Sequence, residues 1–220
     1  MSIAHENAAT NTSAIPSLWE NGITLQGVSW ETYAKFVDSL GDRRVFVSYD
    51  RGLMEIQTVS PSYPHEYGID LLVSLIHVIR FQRGTAIAGG GSTTHRREDL
   101  ERGVEPDACF WIENEPKMRG VKELDLNEVP PPDLVIEVDI HSSSVDRIET
   151  FCKLGVPEIW LIRDEQLYFL VVDGDQYAEA LTSRSFPFVD CASVNEALKA
   201  IETLGESEAL NQLLTKLKLR

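Results

Sequence analysis

Apolar residues recur along this chain with two periods, and the points where one gives way to the other mark its elements. In SWETYAKFVDSL, Trp30, Tyr33, Phe36, Val37 and Leu40 fall three or four apart, the spacing of one helix face. Ser29 stands where an N-cap belongs. RVFVSYDRGLMEIQTV then alternates on both sides of Asp-Arg-Gly, which predicts a β-hairpin turned at the glycine. Helical spacing returns in SPSYPHEYGIDLLVSLIHVIRFQRG, where Ile69, Leu72, Val73, Ile76 and Ile79 make a stripe and Gly84 supplies the stop. TAIAGGG, PDACFWI and DLVIEVD read as strands, the last behind Pro130, Pro131 and Pro132, which bar a helix there. SSSVDRIETFCKLG predicts a helix capped by one of its serines and ended by Gly155. EIWLIRDEQLYFLVVDGDQY predicts strands joined by tight turns at Arg-Asp-Glu and Asp-Gly-Asp. From about Ser193 onward, Leu198, Ile201, Leu204, Leu210, Leu213, Leu214 and Leu217 are the apolar members of one amphipathic C-terminal helix. The order predicts an α+β (mixed α/β) domain, a central mixed β-sheet flanked by helices with an N-terminal hairpin. It is expected to span residues 18–220, behind a flexible polar tail over residues 1–17.

Composition narrows the function classes. With 43% hydrophobic and 25% charged residues in 220, the chain can bury a sizeable core. No apolar run approaches the roughly 20 residues that span a bilayer, and the first residues lack the basic flank and apolar centre of a signal peptide. The expectation is a soluble cytoplasmic protein with no membrane partner. Cys109, Cys152 and Cys191 stand too far apart for a zinc or redox motif and read as packed thiols. A formal net charge of −15 argues against a broad phosphate-gripping surface. The basic residues do gather locally, as Arg43 with Arg44 and as Arg96, Arg97 and Arg102. They fit either a positive groove on an acidic body or a solvated, salt-bridged face. GGGS at 89–92 lacks the Lys-Ser or Lys-Thr of a phosphate loop, so a bend or bulge is expected there.

The candidate chemistry lies at strand ends. In DLVIEVD a period of two sends Leu134, Ile136 and Val138 to one face and Val135, Glu137 and Asp139 to the other. Asp107 heads the strand DACFWI. Should the two strands be neighbours, these carboxylates converge and repel, and a hard divalent cation would relieve the repulsion. The alternative is that the acids simply end their strands in solvent.

EPDACFWI followed by PPDLVIEVDIHSSSVDRIETFCKLGVPEIWLI resembles the Uma-two family of restriction-endonuclease-like proteins, a branch of the PD-(D/E)XK nuclease superfamily, over about residues 25–172. The resemblance implies a restriction-endonuclease-like core and Mg²⁺- or Mn²⁺-dependent hydrolysis of phosphodiester bonds in nucleic acid, DNA ahead of RNA. It implies Asp107 and Glu137 as the metal pair, with the Val138 carbonyl and Asp139 as further ligands. It casts His65 and Glu66, at the start of the long helix, as aids to a second metal or the attacking water. One position departs from the pattern. The superfamily expects Lys two residues after Glu137, where Asp139 stands, and family members often take the basic group from the following helix, where Arg147 stands. Arginine can stabilise a phosphorane-like charge but cannot serve as general base. Arg147 could instead pair only with Asp139 or Asp146. The Asp139 replacement and the acidic charge together favour an alternative, a catalytically inactive nuclease-fold binding or regulatory module. Cleavage of both strands of a duplex would suit a homodimer, with the stripe of the C-terminal helix as its interface.

Overall fold

A computed structural model describes residues 22–41, 45–57, 63–139 and 145–219, with the side chains of residues 63–65 and 139 outside that description. The expected tail over residues 1–17, and Arg43 and Arg44, lie outside the described residues. The chain runs β1 (Ile23–Leu25), α1 (Trp30–Leu40), β2 (Phe46–Asp50), β3 (Leu53–Gln57), α2 (Tyr63–Arg83), β4 (Ala88–Gly89), β5 (His95–Arg97), β6 (Arg102–Val104), β7 (Ala108–Trp111) and α3 (Glu115–Met118). It continues through β8 (Leu134–Asp139), α4 (Arg147–Lys153), β9 (Glu158–Arg163), β10 (Gln166–Asp173), β11 (Gln176–Ala180), α5 (Cys191–Leu204) and α6 (Glu206–Lys216).

The strands form two sheets, one ordered β1-β3-β2-β6-β5 and the other β11-β10-β9-β8-β7-β4. Within the second, β8 and β9 are parallel, joined by α4 as the crossover, while β7 lies antiparallel to β8. This is the mixed, helix-flanked α+β architecture that the periodicities predict. Face parity holds along β8. Leu134 and Ile136 enter a core with Trp160, Phe169 and the apolar stripes of α2, α5 and α6. Val135 enters a second core with Ile159, Leu161 and Phe151 of α4. A third, smaller core lies under α1, where Tyr33 stacks on Tyr49 with ring centroids 4.6 Å apart.

Several local expectations hold for the physical reasons given. Ser29 accepts from the Thr32 amide and caps α1. Arg51 and Gly52 take φ of 43° and 93°, the left-handed pair a tight hairpin turn needs. GGGS is a bend: at Gly90 a Cβ would collide with the Cys109 sulfur and the Trp111 ring. Other expectations are corrected. Asp146, not a serine, caps α4, accepting from the Glu149 amide at 2.8 Å. The single C-terminal helix is two, broken at Gly205, whose φ is 78°. Most of its stripe faces the protein's own core, with Leu198, Ile201, Leu213, Leu214 and Leu217 buried there and only Leu204 of the seven exposed, so it does not offer the dimer interface expected of it. The hairpin β5-β6 is an addition to the sequence reading. The positive groove is also corrected where it can be seen: Arg96 pairs with Asp38, Arg97 with Asp99, and Arg102 with Glu149 and Asp50.

Candidate active site

Antiparallel pairing sets Ala108 opposite Ile136, so the next step along the ladder brings Asp107 to the tail of β8 beside Glu137. The junction is fixed by a hydrogen bond, since the Val138 amide donates to Asp107 Oδ2 at 2.8 Å. Glu137 is buried, on the sheet face covered by α4. Arg147, the first residue of α4, reaches back over that face, and its Nη2 lies 2.6 Å from Glu137 Oε1. The same nitrogen donates to the Glu105 carbonyl at 2.6 Å. Asp107, Glu137 and Arg147, separated in sequence, therefore meet at one place.

The electrostatics are those of one guanidinium among several acids. Burial works against the charged form of Arg147, but the charges of Glu137 and Asp107 and the hydrogen bond to Glu137 outweigh it and hold its pKa above the ordinary arginine value. Glu55 on β3 contributes in the same sense. It is buried on the hairpin face away from α1, since its neighbours Met54 and Ile56 take the α1 side. Glu105 is half-buried; burial raises its carboxyl pKa, against a 2.7 Å hydrogen bond from Thr94 and the Arg147 charge. Sequence reasoning missed both residues. Glu105 carried a usable signal, being two residues before Asp107 on the same parity. Glu55 carried none, because an acid alternating with apolar residues reads as a solvent-facing strand position.

The remaining predicted residues fall around this cluster. Val138 pairs with Ile162 in the β8-β9 ladder, between Glu137 and Asp139. Asp139 ends β8 in register with Arg163, and its side chain lies outside the described residues. Glu66 is exposed on the first turn of α2. That end of α2 crosses the sheet at Ile162, since a Cβ at Gly68 would sit 3.0 Å from the Ile162 methyl, on the face away from Glu137 and Arg147. The His65 side chain, in the same turn, lies outside the described residues. Lys153, six residues after Arg147 and therefore on another face of α4, is exposed in the last turn of that helix. Among the described residues no three His, Cys, Asp or Glu side chains gather closely enough to make a metal cage.

Together these elements define an α+β protein with a mixed sheet whose central strands end in an acidic, arginine-bearing site. The family model Uma2, described as "Putative restriction endonuclease", matches residues 30–203, and the chain belongs to that family. Among solved structures it is similar to a "putative nuclease belonging to DUF820" from Anabaena variabilis. That likeness has a TM-score of 0.51 and 17% identity over 85% of this chain and 99% of the other, and it is one of fold. No curated protein matches the sequence.

Proposed function

We propose that the protein is a metal-dependent nuclease that hydrolyses phosphodiester bonds, with DNA as its substrate, at the site built from Asp107, Glu137 and Arg147. The observation that carries this reading is the convergence of two strand-end carboxylates and a buried guanidinium on one sheet face. The charges of Glu137, Asp107 and Glu55 all bear on Arg147, and Glu137 and Glu55 are buried. The donors are all oxygen, and Mg²⁺ ordinarily uses only one or two protein carboxylates and keeps several waters, so a three-acid cage is not required. Asp107 and Glu137 would hold Mg²⁺ or Mn²⁺, with the Val138 carbonyl and Asp139 as further oxygen donors. The ion supplies Lewis-acid polarisation of a phosphoryl oxygen and makes water more acidic.

The chain's own groups do the rest. Arg147 stays protonated, so its role is to offer hydrogen bonds to charge developing on the phosphoryl oxygens and not to take a proton. Glu66 and His65 begin α2 on the opposite sheet face from Arg147, so they would orient or deprotonate water only from beyond the end of β8. Cys109 is buried and its thiol pKa is pushed up to about 12, so it takes no part as a nucleophile. The three free thiols suit the reducing cytoplasm.

The test is cleavage of duplex DNA, single-stranded DNA and RNA at low salt in Mg²⁺ or Mn²⁺. Asp107→Ala and Glu137→Gln should abolish turnover, and Arg147→Ala should lower it by roughly 10²- to 10³-fold. The Asp139 replacement of the expected lysine favours a second reading, a binding module that kept the fold and lost hydrolysis. Mn²⁺ binding by the wild type with none of the three substrates cut would establish that reading in place of the first.

A further inference from the structure

Arg147 occupies the very carboxylate that a metal would need. Its side chain is 13% exposed and that of Glu137 only 6%, and the 2.6 Å contact between them is shut away from bulk water. A divalent ion arriving at Glu137 would therefore meet a fixed positive charge a few ångströms away, in surroundings that screen it poorly. The guanidinium is not fully committed, however. Its Nε, though buried, has no hydrogen-bond partner, and Nη2 already has a second acceptor in the Glu105 carbonyl. The charges of Asp107 and Glu55 also favour the arginine without depending on the Glu137 contact. Arg147 can thus give up Glu137 and remain held in the cluster, with an unused donor for another oxygen.

We propose that Arg147 is the resident counter-cation of the site and competes with the divalent metal for Glu137, so that metal loading and release of the guanidinium are one equilibrium. This rests on the metal-dependent reading above and adds to it a device that keeps the buried acids neutralised before metal arrives. By linkage, whatever draws Arg147 from Glu137, such as a phosphate oxygen accepting from its free Nε, raises metal affinity by the same factor that metal raises affinity for that phosphate. The substitution of Asp139 for the expected lysine makes sense here, because the cation is supplied by Arg147 at the start of α4.

Isothermal titration of Mn²⁺ into the wild type, Arg147→Met, Arg147→Lys and Glu137→Gln provides the test. Arg147→Met should bind Mn²⁺ roughly tenfold or more tightly than the wild type, because a competing charge is gone. Arg147→Lys should stay close to the wild type, and Glu137→Gln should lose binding. Equal or weaker binding by Arg147→Met overturns the competition while leaving the metal site standing. No Mn²⁺ binding by any of the four proteins overturns the metal-dependent reading itself. Should Arg147→Met fail to fold, the wild type answers alone. Its Arg147 side-chain Nε–H resonance should shift along a Mg²⁺ titration with the midpoint of metal binding, and a resonance that stays put would refute the proposal.

Discussion

Buried acids in this protein sort by what satisfies them. Asp133 accepts from the Ile112 and Asn114 amides, and Glu158 from the Trp160 indole and the Arg184 and Ser185 amides, so both are anchors for loops. Glu137 is instead matched by a side-chain cation from another element, the guanidinium of Arg147, and not by backbone amides of a loop. A buried base shows the same logic without any partner. His95 is fully buried beside Trp111, neither ring nitrogen is hydrogen-bonded, and burial pushes its pKa down to about 4. In the unfolded chain the imidazole titrates near its ordinary value of 6.5, so as pH falls the unfolded state takes the proton first. The stability tied to neutral His95 is complete above about pH 6.5 and drains away as pH falls toward 4, amounting to about 3 kcal/mol. Urea unfolding of the wild type and His95→Leu at stepped pH should show the wild type losing ground to the variant across that window. Parallel curves would mean that His95 is not held neutral.

At the scale of elements, legibility followed how much apolar residue a strand or helix carries. DLVIEVD and the α2 stripe were readable because packing on the six-stranded sheet imposes a clean period on them. The hairpin β5-β6 was not, because HRR and RGV are three-residue strands dominated by arginine. Arg102 is buried there through pairing with Glu149 and Asp50, and hydropathy cannot register pairing. The α4 cap was ambiguous because serine and aspartate accept from the same amide positions. The break at Gly205 was hidden because α6 goes on burying the same kind of face as α5. β6 also carries a packing constraint that the sequence conceals. Gly103 runs beneath α1 so closely that a Cβ would overlap the Tyr33 hydroxyl and ring. Gly103→Ala should therefore destabilise by about 1–3 kcal/mol as an overpacking change. It should also alter Trp30 fluorescence, because that indole lies 5.2 Å from the Tyr33 ring. Tyr33→Leu in the Gly103→Ala background should recover part of the loss. A neutral Gly103→Ala would show that α1 does not press on β6.

Over the whole molecule, two large-scale expectations met different physics. The amphipathic C-terminal stripe predicted an interface, but α5 and α6 spend it on the core they share with α2, where Leu213 and Leu214 are buried. The local arginine clusters suggested a positive groove, but Arg96, Arg97 and Arg102 are each neutralised by a nearby acid. On a body of net charge −15 this takes away the arginines that the expected groove would have used to displace counterions from a nucleic acid. On the proposed reading, affinity for DNA should then come mainly from the site itself, from the divalent ion it would hold and Arg147, and not from a broad electrostatic footprint. The salt dependence reports this directly, because each phosphate neutralised contributes about −0.9 to the slope of log K against log salt on duplex DNA. Fluorescence anisotropy with a labelled duplex, with Ca²⁺ replacing Mg²⁺ to slow cleavage, should give weak binding and a slope no steeper than roughly −3. Arg147→Met should flatten the slope by about 1, the loss of a single phosphate contact. A wild-type slope steeper than about −5 would require several more basic contacts than the paired arginines can supply, and would move the nucleic-acid interface away from the acidic site.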